Sequence, residues 1–381
     1  MRLGARSCRF STRSRSASKL LAQTAQLEGQ VPQPGERKSQ RRKMAKRTSR
    51  PSARADLGCE AGVVGMGLMG TSIAACLLAA GHRLSCVESD PAKLKSAPHR
   101  LRGLLQNASE KNLFSASPSS LMELVTISGE LSSLAHAEVV IESTVEDLAV
   151  KREVIHAIEA IVPSSTLIGS NTSAIPVSDL QSGAKHPERI LGLHWAEPAN
   201  ITRFMEIICG KATSAGNLKR AVRFACSWGK EPSVLRKEIR GFITNRIMYA
   251  MLREAFYLVD SGYASVADVD RSLRNDLGYW ITFAGPFRFM DLTGIPAYAA
   301  VMKDLLPDLN GSTEVPSLMQ KVIRSGARGV SNAKGFYRYT PSQAKRWEEL
   351  FIDFSHEIRR LAEKYPENVG DKRTPKRTGR E

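Results

Sequence analysis

The segment Gly65-Met66-Gly67-Leu68-Met69-Gly70 constrains the chain more than any other. Glu60 to Val64, just before it, reads as a short buried strand, and Ser72 to Ala80, after it, reads as a helix closed by Gly81. Leu84 to Val87 then reads as a second strand that ends on Glu88, 18 residues after Gly70. A glycine triplet alone is weak, but strand, turn, helix and an acidic residue at this distance form the fingerprint of a dinucleotide site. Gly65 allows the tight turn. Gly67 leaves room for a pyrophosphate, and Gly70 lets helix and strand pack closely. The N–H groups at Leu68 and Met69 open the helix and face an anion. Glu88 can accept hydrogen bonds from both ribose hydroxyls and would repel a 2′-phosphate, so the expected cofactor is NAD rather than NADP.

The rest of the first half keeps alternating. Leu124 to Ile127, Val139 to Ile141, Leu167 to Ile168 and Ile190 to Leu193 read as strands, with a long helix from Pro91 and another over Val150 to Ile161. Such alternation predicts a mostly parallel sheet covered on both faces. After about Leu235 the pattern changes. Phe242, Ile243, Ile247, Met251, Leu252, Ala255, Phe256 and Val259 recur at helical spacing. Five further segments read as helix: Val266 to Leu273, Phe287 to Leu292, Ala297 to Leu305, Val315 to Ser325 and Pro341 to Lys364. The fold class is therefore α/β, a Rossmann-type dinucleotide-binding domain over 59–234 followed by an all-α C-terminal domain over 235–365.

The net charge of +17 suggests a nucleic-acid partner until it is located. Residues 1–58 hold a net +12 and residues 366–381 a net +2, so the body is nearly neutral and offers no basic groove. Both ends read as disordered. The acid-poor, Arg- and Ser-rich start fits a mitochondrial transit peptide over residues 1–43, and a start of translation at Met44 fits equally. The expected location is cytoplasmic, or the mitochondrial matrix if the transit reading holds. No apolar run is long enough to span a membrane. The six cysteines form no C-x-x-C pair and do not cluster with histidines, so free thiols and no metal site are expected.

Ser170-Asn171-Thr172-Ser173, Gly192-Leu193-His194-Trp195 and Phe204-Met205-Glu206-Ile207 lie within or beside expected strands. Strand ends line the ligand crevice of an open parallel sheet. His194 stands apart from the other six histidines because a strand delivers it beside small polar residues and a carboxylate. Together with Val140-Ile141-Glu142, Val145-Glu146-Asp147 with Lys151, Gly241-Phe242-Ile243-Thr244-Asn245-Arg246, Gly285-Pro286-Phe287 and Gly335-Phe336-Tyr337, these motifs make residues 60–340 resemble the 3-hydroxyacyl-CoA dehydrogenase family.

The resemblance implies roles. His194 would be the general base for the hydroxyl proton, and Glu206 would hold the imidazole and stabilise its protonated form. Ser173 and Asn245 would hydrogen-bond the reacting oxygen and carbonyl. Glu146 and Lys151 would be cofactor contacts. The resemblance also implies a homodimer through the helical domain.

The chain departs from the family pattern at several points. His194-Trp195-Ala196-Glu197-Pro198 stands where the family reads His-Phe-Phe-Asn-Pro, so Glu197 occupies a position that faces cofactor and substrate. Arg240 replaces the usual Pro, and Val330-Ser331-Asn332-Ala333 replaces a lysine-containing segment. The stretch Tyr-Trp-Ile-Thr-Phe-Ala between Gly278 and Gly285 is more similar to the lambda-crystallin (L-gulonate dehydrogenase) and carnitine dehydrogenase branches. Trp195 and Trp280 are expected near the pocket, where aromatic faces would favour a cation. The expected substrate is a 3-hydroxyacyl-CoA. A free polar 3-hydroxy acid is the alternative, and a non-catalytic structural role a third reading.

Overall fold

The computed structural model describes residues 58–365. The expectations about residues 1–57 and 366–381 lie outside the described residues. The first half opens with β1 (Glu60–Val64), α1 (Leu68–Ala79), β2 (Arg83–Val87), α2 (Pro91–Glu110), α3 (Pro118–Met122), β3 (Val125–Ser128) and β4 (Val139–Glu142). It continues through α4 (Leu148–Glu159), β5 (Leu167–Ser170), α5 (Val177–Gln181), β6 (Ile190–His194), β7 (Phe204–Cys209), α6 (Ala215–Ser227) and β8 (Glu231–Leu235). The eight strands form one sheet in the order β3-β2-β1-β4-β5-β6-β7-β8. Strand direction reverses once, between β6 and β7.

The strands are short apolar runs because both faces are covered. Ile73, Leu77, Leu101 and Trp228 fill one side, and Leu134, Ile155, Ile158 and Leu180 the other. Local chemistry sets the helix starts. The Asp90 side chain accepts the Ala92 and Lys93 N–H groups, with Pro91 at the first helical position of α2.

Beyond β8 the described chain is helical, apart from isolated bridges of Lys334 with Gly329 and Arg338. It contains α7 (Thr244–Asp260), α8 (Val266–Asn275), α9 (Leu277–Ile281), α10 (Pro286–Thr293), α11 (Ile295–Leu305), α12 (Ser317–Arg324) and α13 (Pro341–Lys364). A capping box between Thr340 and Gln343 starts α13. This helix packs back on the first half through Lys111 to Asp353 at 2.6 Å and His356 to Asn107 at 3.3 Å.

The sequence reading needs three amendments. It omitted β8, a short strand containing Pro232, and α6, although Leu218, Ala221, Val222 and Ala225 recur there at helical spacing. It missed the short α9. It also began α7 three residues early, because Gly241 and Phe242 both take positive φ, 81° and 53°, and the helix cannot start before they end. Among the described residues no helix is long and apolar enough to cross a membrane, and no group of three or more His, Cys, Asp or Glu could hold a metal ion.

Candidate active site

The reversal of strand order between β1 and β4 places the glycine turn at the carboxyl edge of the sheet. Each glycine meets a different constraint. A Cβ on Gly70 would sit 1.8 Å from the Gly65 carbonyl oxygen, so only glycine lets α1 start this close to β1. Gly65 has φ of 92°, and a Cβ there would lie 2.6 Å from Ser143 O. A Cβ on Gly67 would meet nothing within 4 Å, so that side of the turn is open. The first turn of α1 has no side-chain cap and no acid, and Leu68 beside it is 73% exposed. Met69 packs against the apolar core. The buried Glu88 accepts the Met66 N–H at 2.8 Å on one oxygen and the Asp90 N–H at 2.9 Å on the other. Each oxygen keeps lone-pair capacity for a further donor. An uncapped helix start, an open glycine face and a carboxylate fixed at the end of β2 together fit a dinucleotide.

Further along the same edge, β6 ends at His194. Because β7 runs antiparallel to β6, His194 pairs across the ladder with Glu206. Their side chains meet, with His194 Nδ1 at 2.8 Å from Glu206 Oε2. The other Glu206 oxygen accepts the backbone N–H groups of Ile243 at 3.1 Å and Thr244 at 2.9 Å, and the Thr244 hydroxyl at 3.3 Å. Burial alone would raise this carboxyl, but the His194 bond and the Thr244 and Ile243 N–H groups hold it below the usual carboxylate range. An ionised Glu206 places the proton on His194 Nδ1 and leaves Nε2 as a lone-pair acceptor. Phe204 and Phe242 wall the imidazole, each with its ring centroid 5.5 Å away. The positive φ values at Gly241 and Phe242 turn the chain so that the Phe242 ring reaches His194. The sequence held this residue within a motif without assigning it a role.

Ser173 and Asn245 come together from opposite halves. Asn245 Nδ2 donates to Ser173 O at 3.0 Å, and both residues line one cavity of about 800 Å³. Glu146 organises the serine turn. Its Oε1 accepts from the Thr172 hydroxyl at 2.7 Å and from the Ser173 and Ala174 N–H groups at 2.8 and 3.1 Å. Lys151 is fully enclosed. Its Nζ donates to both Glu142 oxygens at 2.9 and 3.0 Å and lies 3.6 Å from Glu146, so its reach toward the cleft runs through Glu146.

The loop after His194 is bolted to the glycine-turn helix. The Ser72 hydroxyl donates to Asn200 Oδ1 at 3.0 Å and accepts the Asn200 N–H at 3.2 Å. The buried Lys230 ammonium donates to the carbonyls of Ala199 and Thr202. Glu197, on this loop, is open to solvent, yet the surrounding chain raises its carboxyl above the usual range, offset in part by the Ala199 N–H. Trp195 corrects the expectation of an aromatic pocket for a cation. It is buried, stacked on Trp228 at 5.5 Å, and its ring already holds the Lys230 ammonium at 4.8 Å. Trp280 stacks on Phe289 at 4.3 Å and does not line the cavity that holds Ser173 and Asn245.

Residues 60–239 match the family model of the 3-hydroxyacyl-CoA dehydrogenase NAD binding domain, and residues 241–339 match that of the C-terminal domain. The chain is 30% identical to 5-formyl-3-hydroxy-2-methylpyridine 4-carboxylate 5-dehydrogenase of Mesorhizobium japonicum over 74% of its length and 91% of the relative. It is 29% identical to a probable 3-hydroxybutyryl-CoA dehydrogenase of Bacillus subtilis, over 73% and 96%. Among solved structures, a 5-formyl-3-hydroxy-2-methylpyridine 4-carboxylic acid 5-dehydrogenase superposes with a TM-score of 0.75 at 27% identity, covering 81% of this chain and 99% of that one. The (S)-3-hydroxybutyryl-CoA dehydrogenase of Ralstonia eutropha gives 0.61 at 26%, covering 74% and 99%. Glycine turn, His–Glu pair and both family models converge: the chain is an NAD-dependent oxidoreductase acting on a CH–OH group and belongs to the 3-hydroxyacyl-CoA dehydrogenase family.

Proposed function

We propose that this protein oxidises the 3-hydroxy group of an acyl substrate to a ketone, with His194 as proton acceptor. The observation that carries the reading is the 2.8 Å contact between His194 Nδ1 and a Glu206 carboxylate held ionised by three further donors. Bound NAD supplies the hydride acceptor, and the chain has to move the proton. His194 Nε2 takes the hydroxyl proton, and Glu206 stabilises the resulting imidazolium. The Ser173 hydroxyl and the Asn245 amide hydrogen-bond the reacting oxygen and the neighbouring carbonyl. Gly65, Gly67, Leu68, Met69 and Gly70 hold the pyrophosphate, Glu88 holds the ribose, and Glu146, backed by Lys151, shapes the turn that carries Ser173. Glu197 faces the cofactor side from its pinned loop. Residues 59–234 serve as the cofactor domain and 235–365 as the substrate and dimerisation domain.

The acyl group is proposed to be a 3-hydroxyacyl-CoA thioester. A free 3-hydroxy acid is the second reading, favoured by the Mesorhizobium relative, whose name gives a pyridine carboxylate as its substrate. A homodimer is proposed because helices α7 to α12 bury no residue within the single chain. Ile247, Leu292 and Phe287 are 62, 63 and 79% exposed, apolar surface that water disfavours and a second copy would cover.

The test is NADH formation from 3-hydroxybutyryl thioesters and from free 3-hydroxy acids. His194→Gln is expected to lower kcat by on the order of 10²–10⁴ with NADH binding intact. Near-normal turnover in that variant removes His194 from the mechanism.

A further inference from the structure

We infer that Arg240, Arg246 and Arg253 form an anion-recognition subsite that binds a carboxylate carried by the substrate close to its reacting carbon. The inference rests on the proposed dehydrogenase reading and narrows its substrate. Asn245, Arg246, Tyr249 and Arg253 fall on one stripe of α7 and line the cavity that begins at Ser173. Arg240 joins them from the preceding turn, where the Arg246 guanidinium donates to its carbonyl at 3.4 Å. All three side chains are exposed, and none forms a salt bridge among the described residues. Glu314 is the acidic residue in the lining, so the cavity carries three positive charges against one negative. The shared chemistry is an anion that accepts paired guanidinium N–H bonds.

Position favours a carboxylate on the substrate over the phosphates of CoA. Arg246 directly follows Asn245, which already touches Ser173 O at 3.0 Å, so an anion at Arg246 lies near the reacting oxygen. In a CoA thioester the pantetheine arm separates the phosphates from that oxygen by many bonds. Arg253 stands seven residues on, ~10 Å along the helix axis, and because helical side chains lean toward the N-terminus its long guanidinium arm is directed back at the same anion. Arg240 occupies the position where the family usually has Pro, so this guanidinium is an addition to the common pattern. Glu197 does not line this cavity.

The experiment measures binding in the dead-end complex with NADH, in which a 3-hydroxy compound cannot be oxidised. Calorimetry compares 3-hydroxybutyrate, 3-hydroxybutyramide, and the 3-hydroxybutyryl thioesters of pantetheine and CoA. The acid is expected to bind more tightly than the amide. Arg240→Gln, Arg246→Gln and Arg253→Gln are each expected to weaken the acid about tenfold, the scale of one hydrogen bond to a charged group, and to leave the amide unchanged. Arg253→Lys should recover part of its loss. If the variants weaken the CoA thioester alone, the arginines hold phosphates and the inference is overturned. Unchanged affinity for the acid in all three variants, or a change only in oligomeric state, overturns it as well. Intact, arginine-dependent acid binding without NADH formation from any 3-hydroxy compound would support the subsite and sink the dehydrogenase reading instead.

Discussion

Glu206 Oε1 accepts the Thr244 N–H at 2.9 Å, so the carboxylate that orients His194 also fixes the first turn of the helix that carries Asn245. One side chain thereby sets two groups that the proposed mechanism brings to the same substrate. Glu206→Gln should damage both. An amide nitrogen cannot accept either the imidazole N–H or the backbone N–H groups, and one buried donor is left unmet at about 1–3 kcal/mol. We expect kcat to fall at least 10²-fold and the unfolding midpoint to drop. The stability loss should depend on pH. The folded carboxyl lies below the unfolded value of 4.5, so its contribution is present above 4.5 and disappears as pH falls through the lower folded value. An equal stability gap at pH 7 and at pH 3 would mean that Glu206 acts by packing and not by charge.

Glu88 already receives the Met66 and Asp90 N–H groups before any ribose arrives. NAD should therefore exceed NADP in kcat/KM, because a 2′-phosphate would approach a fixed, buried carboxylate. Glu88→Gln should narrow that gap and also destabilise the protein without cofactor by about 1–3 kcal/mol, since one backbone donor loses its acceptor. Equal kcat/KM for the two cofactors in the wild type would refute this role.

The Lys151–Glu142 pair has no exposed side-chain surface on either partner. Removing one member leaves the other charged and buried. Lys151→Met is expected to cost about 3–5 kcal/mol in denaturant unfolding. Lys151→Met combined with Glu142→Leu should be more stable than Lys151→Met alone. If the double variant is the less stable of the two, the pair is not the source of the penalty.

These residues differ in how far the sequence reveals them. The glycine turn was legible because each glycine answers a local backbone or contact requirement and Glu88 follows at a fixed distance. The His194–Glu206 contact was legible only through family resemblance, since spacing alone does not say that β7 turns back on β6. The buried state of Lys151 was not legible, because its partner Glu142 closes a strand while Lys151 sits in an amphipathic helix. The docking of α13 was not legible either. Its contacts, Lys111–Asp353 and Asn107–His356, join residues 242 and 249 positions apart, which no local period encodes. Helical spacing identified most of the helices after Leu235, but it does not say which apolar faces a single chain leaves uncovered.

Glu197 offers a test that separates charge from shape. Its carboxyl is raised above 4.5 because the surrounding protein disfavours the ionised form, and the Ala199 N–H offsets this only in part. The sign follows from the linkage between protonation and folding. Below 4.5 the group is neutral in both folded and unfolded chains and costs nothing. As pH rises through the raised folded value, the folded state must carry a partly desolvated charge, and stability falls relative to a neutral side chain. Glu197→Gln should therefore raise the melting temperature at pH 7, and the gain should shrink to nothing by about pH 4. Lys230 and Ser72 anchor the loop on either side through Ala199, Thr202 and Asn200, so the substitution should not release it. The same variant should raise kcat/KM for anionic substrates, since a carboxylate on the loop proposed to face the cofactor would repel them, and leave neutral amides unchanged. A melting difference that is constant from pH 4 to pH 8 would assign the effect to side-chain packing, and an unchanged ranking of substrates would remove Glu197 from specificity.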